Sequence, residues 1–169
     1  MKFKFLIIGL FAILVGCDQP KEMSSTNPVN WQKRMVKRAL GDSLEKGKTY
    51  LSVYSQIYSL NEGRIQNLTA TVSMRNTDNK DSVFVNKAEY FDTKGKLIRN
   101  YFDKPIFIAP METVEIVIDF MDVKGGTGAN FLFEWSKETV TNEPLFEAVM
   151  ISTSGQQGLS FSTKGVKVR

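Results

Sequence analysis

Cys17 is the only cysteine in 169 residues, and there is no histidine. Serine–histidine and cysteine–histidine triads, a histidine-held zinc and an intrachain disulfide therefore have no residues to use. Carboxylates are what remains for acid–base work. Glu134 beside Trp135, and Glu112 with Glu115, are the pairs a glycoside-cleaving site would draw on, since such chemistry needs two acids about 5 to 9 Å apart. Every soluble domain carries such residues, so no catalytic residue is assigned and the chain reads as a non-enzyme. Asp78 and Asp81 repeat part of a calcium loop but lack its central glycine and terminal glutamate. The methionines are scattered, with no Met-x-x-Met pair past the front segment, so no metal or cofactor is expected.

Two stretches are candidates for binding. Gly125, Gly126, Thr127, Gly128, Ala129 and Asn130 form the most unusual run, in which three glycines let backbone N–H groups line a concave nest for an anion or a carbonyl. The Gly-Lys-Ser/Thr ending of a phosphate loop is missing, and a strand rather than a helix is predicted to follow. A tight bend imposed by its neighbours is the other reading of this loop. Tyr50, Tyr54 and Tyr58 share one parity of a predicted strand. They form either an aromatic row that stacks on a sugar or a partner, or filling between two sheets.

Cys17 has chemistry of its own because of what precedes it. Lys2 and Lys4 come before an uncharged apolar run, Phe5 to Val15, the order of a secretory signal. At about 1.5 Å per residue the run is only about 17 Å long as a helix, too short for a ~30 Å hydrocarbon core. Its end, Leu14-Val15-Gly16-Cys17, resembles the lipobox of bacterial lipoproteins, where cleavage leaves the cysteine as a lipid-modified first residue. Several acyl chains on one residue hold firmly, at about 0.8 kcal/mol per buried methylene. Residues 1–16 are thus predicted to be a signal peptide. Loss of Lys2 and Lys4 with it lowers the net charge from +4 to +2, so nucleic acid is not implied as a partner. Asp18 resembles an inner-membrane retention signal of enteric bacteria; inner and outer membrane both stay open.

Stepping along the chain, residues 17–44 read as the lipidated cysteine, a Pro- and Ser-rich tether and a short basic helix. Asn27 and Pro28 would start that helix, Leu40 and Gly41 would end it, and Lys33, Arg34, Lys37 and Arg38 would charge one side. Trp31 and Met35 lie four apart on one face; the segment could rest on anionic headgroups, pack one side onto the domain as a solvated helix, or form a partly ordered linker. From about Thr49 the period changes to two. Leu68, Ala70, Val72 and Met74 alternate with polar residues, as do Val114 to Phe120 and Phe131 to Trp135. Further strands are predicted at Tyr50–Ser59, Val83–Phe91, Leu97–Phe102, Leu145–Ser152 and Leu159–Thr163. Strands at spacings near ten residues, with no helix between them, predict an all-β domain over residues 45–169. Its expected form is an immunoglobulin-like or fibronectin-like antiparallel β-sandwich of about 7–9 strands, with a small barrel as the competing architecture.

A family resemblance rests on several blocks in order. They are Tyr54-Ser55-Gln56-Ile57-Tyr58, Met74-Arg75-Asn76-Thr77-Asp78, Tyr90-Phe91-Asp92 with Gly95-Lys96-Leu97, Gly125 to Phe131 with Glu134-Trp135, and Glu147 to Ile151 through Gln157-Gly158 with Ser160-Phe161. Together they resemble the bacterial family catalogued as domain of unknown function 3124, over nearly all of Thr49 to Gly165. The resemblance implies a bacterial envelope protein, often with a lipoprotein signal and with no assigned biochemical role. The expectation is therefore a lipoprotein of the cell envelope, held by membrane lipid at Cys17, whose exported domain binds an envelope protein or glycan. The alternative is a carboxylate-dependent hydrolase acting on envelope polysaccharide.

Overall fold

The computed structural model describes residues 29–37, 39–153 and 157–169. The signal segment, Cys17, Asp18, Asn27, Pro28, Arg38 and the Ser154–Gly155 turn lie outside the described residues. The elements are α1 (Trp31–Arg34), β1 (Glu45–Ser52), β2 (Gln56–Ser59), β3 (Asn61–Asn67), β4 (Thr69–Arg75), β5 (Val83–Phe91), β6 (Leu97–Asn100), β7 (Ile106–Ile108), β8 (Thr113–Ile118), β9 (Asn130–Lys137), β10 (Leu145–Ser152), β11 (Leu159–Lys164) and β12 (Val166–Val168).

Alternating sequence produces strands with one dry face. Ala70, Val72 and Met74 of β4 are fully buried, and Phe131, Phe133 and Trp135 of β9 point inward while Glu134 points out. The strands form two antiparallel sheets in the order β12-β1-β9-β5-β6 and β11-β10-β4-β8, with β7 also on β5. This is an all-β sandwich. Its middle is aromatic: Tyr90 stacks on Phe131 at 4.8 Å, Phe131 on Phe133 at 5.3 Å, and Phe133 on Phe146 of the facing sheet at 4.3 Å.

Strand order refines the immunoglobulin-like expectation. The pairs β4·β8 and β5·β9 lie in opposite sheets, as strands B·E and C·F do in immunoglobulin domains. The flanks are exchanged. The first strand, β1, lies beside β9 where the last immunoglobulin strand would be, and the late strand β10 lies beside β4 where the first would be.

Both sides of the sandwich are closed by chain ends. The final strand belongs to both sheets, leaving β10 at Gly165 and continuing along β1 as β12. Gly165 N–H donates to the Phe146 carbonyl at 2.8 Å, and a Cβ here would lie 2.6 Å from Thr49 Cγ2, so only glycine passes this crossing. On the other side Trp31 is buried against Tyr101 and Phe102.

The predicted basic helix is corrected here. α1 is one turn, capped by Asn30, whose side chain accepts from Lys33 N–H; Met35 then turns extended and bridges Ile106. Val36 N–H donates to the Pro105 carbonyl at 2.8 Å. Pairing with β7 satisfies backbone groups that one isolated turn leaves open, so the helix ends at Arg34 instead of near Leu40. Trp31 packs this segment onto the domain, one of the placements its sequence left open.

Candidate functional site

At one end of the sandwich Ser52, Asn130 and Phe91 stand in register, and the connections leaving them carry the glycine run. Residues Val123–Gly128 form a 3₁₀ turn that bends at Gly126, where φ is +73°. Asp122 starts it, accepting from Lys124 N–H while pairing with Arg99 at 3.1 Å. A Cβ on Gly125 would lie 2.0 Å from the Tyr90 hydroxyl oxygen, so glycine is required by close approach.

The turn is folded around a side chain of its own protein. The Thr93 hydroxyl donates to the Gly125 carbonyl at 3.0 Å and accepts from Gly128 N–H at 2.9 Å. Thr93 N–H also donates to Gly125, and the Ser55 hydroxyl donates to the Gly126 carbonyl at 3.2 Å. Thr127 is half-buried, and Asn130 opens β9 opposite Ser52 and Phe91. The expected nest is thus occupied by Thr93, which an anion would have to displace. Tyr90 packs beneath with its phenol shifted to higher pKa, above all by burial.

The three tyrosines do not form a row. Val53 N–H donates to the Ala129 carbonyl and the Ser55 carbonyl takes Leu68 N–H, so the chain leaves the sheet between Tyr50 and Tyr58. Tyr50 stays on the outer face of β1, Tyr54 packs edge-on against Phe161 at 5.8 Å, and Tyr58 goes to a separate hairpin, β2–β3. This hairpin is an arm outside both sheets. Gln56 bonds Asn67 at 2.9 Å and Gln66 bonds Ser152 at 2.8 Å at its base. Tyr58 and Ile65 face each other farther out, both exposed, and Leu60 at the tip is 86% exposed with φ +66°. The sequence carried one signal for the arm, the turn-forming Asn61-Glu62-Gly63, which the period-two reading passed over.

The acids are engaged elsewhere. Glu112 receives both terminal nitrogens of Arg34, at 2.6 and 2.9 Å, and Ala109 N–H at 2.9 Å. The Arg34 hydrogen bonds hold its carboxyl below the ordinary value, and Glu112 in turn raises the guanidinium. Glu115 accepts from the Ser73 hydroxyl at 3.2 Å. Both glutamates border a depression of about 530 Å³ between α1 and β8. A second depression, of about 570 Å³, has Glu134 among Lys46, Lys48, Lys167 and Arg169; Glu134 pairs with Lys48 at 2.9 Å and Lys87 at 3.8 Å. Asp78 accepts from the N–H groups of Lys80, Asp81 and Asn142, which lower its pKa, and so its oxygens close a turn. Among the described residues no three His, Cys, Asp or Glu side chains converge as around a metal ion.

A two-sheet antiparallel module with an aromatic interior and a protruding arm is the class this arrangement defines. The chain belongs to the family described as "Protein of unknown function (DUF3124)", whose model matches residues 46–168. In structure it is similar to the crystal structure of Thermotoga maritima 1070, with a TM-score of 0.46 and 12% identity, over 71% of this chain and 92% of that one. No curated protein matches the chain.

Proposed function

We propose that the protein is a bacterial lipoprotein, tethered through an acylated Cys17, whose β-sandwich is a non-catalytic interaction module of the cell envelope. The observation that carries the anchor is the order Lys2, Lys4, Phe5–Val15 and Leu14-Val15-Gly16-Cys17. The domain is then exported and held at the inner or outer membrane, and its partner is an envelope protein or glycan. Support for a non-catalytic role comes from the acids, since Glu112 and Glu134 are neutralised by Arg34, Lys48 and Lys87.

A carboxylate-dependent hydrolase acting on envelope polysaccharide is the second reading, favoured by Glu112 and Glu115 bordering one depression. Against it, both carboxylate oxygens of Glu112 are held by Arg34, and one also by Ala109 N–H, so the group is turned to its own fold and not to a substrate. The anchor is tested by feeding cells a labelled fatty acid. Label on the wild-type chain and none on Cys17→Ser is the expected result, and equal labelling of both would remove the anchor.

A further inference from the structure

The exposed apolar side chains of the arm are not isolated. Leu97 follows the Asp92–Lys96 turn, and Met121 and Val123 flank Asp122 ahead of the glycine turn; all three are exposed at the same end of the sandwich as Tyr58, Leu60 and Ile65. Leu60 is the extreme case. A leucine in the left-handed region costs roughly 1 kcal/mol that glycine or asparagine would avoid, and its side chain contributes no burial in return.

Cations surround these tips. Arg64, Lys94, Lys96 and Lys124 are exposed, and among the described residues none of the four makes an ion pair. Of the acids nearby, only Asp122 is buried, and Asp92 and Asp119 bond backbone N–H groups of their own turns. Asp92 accepts from the N–H groups of Lys94 and Lys96, Asp119 accepts from Met121 N–H, and Asp122 pairs with Arg99, which leaves Glu62 as the acid with no such bond. We infer that this end of the sandwich, led by Tyr58, Leu60 and Ile65 of the arm, docks onto an anionic lipid surface. The apolar groups stand on three separate connections, and neither depression described above lies among them. A protein partner is usually gripped by a packed central cluster, whereas a bilayer interface accepts separate apolar tips with lysines beside them. Tyrosine, apolar with a polar end, suits that boundary.

The chain ahead of the fold supplies a further argument, which rests on the anchor reading. Cys17 and Val29 are joined by so short a segment that, even fully extended, it reaches only about 40 Å. A sandwich on that leash meets the bilayer at high effective concentration, so weak docking suffices.

The test uses residues 17–169, the chain left once the predicted signal is removed, without the acyl group. In a Cys17→Ser background, Leu60→Cys carries the only thiol and is labelled with a polarity-sensitive dye; Val140→Cys, exposed in the β9–β10 connection at the opposite end, is the control. Vesicles of phosphatidylglycerol and phosphatidylcholine should brighten and blue-shift the dye at position 60 and leave position 140 unchanged. Leu60→Asn in the unlabelled chain should keep the fold, because asparagine tolerates this backbone, and bind such vesicles about tenfold more weakly. Replacing Lys94, Lys96 and Lys124 together by glutamine should weaken binding on the order of a hundredfold. Silence at position 60 while the chain co-sediments with vesicles would overturn the inference, as would equal responses at both positions. A response at 60 to envelope proteins but not to lipid would assign the surface to a protein partner and equally overturn it. Since the tested chain is unacylated, its result is separate from that of fatty-acid labelling at Cys17.

Discussion

Replacing Trp31 by alanine should cost about 2 to 3 kcal/mol of stability, although the residue precedes every strand of the sandwich. The indole is 8% exposed and packs on Tyr101 at 6.5 Å and Phe102 at 5.2 Å. Burying about 200 Å² of it at ~25 cal/mol/Å² gives roughly 5 kcal/mol. Two corrections lower that figure. A compact unfolded chain already hides about a quarter of the area, and the indole N–H has no partner among the described residues, a burial that costs on the order of 1 kcal/mol or more. For a domain of this size the remainder lowers Tm by about 5 to 10 °C. Urea unfolding followed by far-ultraviolet circular dichroism measures it without depending on the lost fluorophore. Trp31→Phe keeps an aromatic plug and removes the unpartnered N–H, so it should cost under about 1 kcal/mol. A loss below about 0.5 kcal/mol for Trp31→Ala would refute the reasoning and set residues 29–36 apart from the packed unit.

Two other substitutions test the packing and charge arguments. Gly125→Ala should destabilise by about 3 kcal/mol, because its Cβ meets the buried Tyr90 hydroxyl, and a Tyr90→Phe background should recover part of that loss; a double-mutant cycle with no coupling would contradict the contact. Glu112→Gln bears on pH. Since Arg34 lowers the folded-state pKa of Glu112, the pair's stabilisation is complete above the unfolded value of about 4.3 and is lost as pH falls through the lower folded value. The stability gap between wild type and variant should therefore be full at neutral pH and shrink in acid, and a gap that widened in acid would reverse the assignment.

The strands that were plain in the sequence are those whose alternation is enforced by burial on one side. Ala70-Val72-Met74 and Phe131-Phe133-Trp135 could not shift by one residue without moving their apolar set into water. The break at Val53–Ser55 was not legible because the alternation runs through it, from Leu51 to Val53 to Ile57, while the hydrogen-bond partners change from one element to another. Asn61–Asn67 has little β propensity, and its pairing with β2 follows from the turn between them and from the anchoring of its base. At the glycine turn the composition announced a close approach, but only the fold brings Thr93 into the bend. Trp31 looked like one face of an amphipathic helix because Met35 lies four residues later; both face the core, yet only the first is helical.

The crossing at Gly165 bears on when the molecule can assume its final shape. Lys48, Thr49 and Tyr50 remain without an outer partner until Val166, Lys167 and Val168 have been synthesised, and β10 waits likewise for β11. A nascent polypeptide lacking its last ten residues has an open seam down one side and exposes the edges of both sheets. Closure spans almost the whole domain, so it is slow by nature and waits until every other strand has been made.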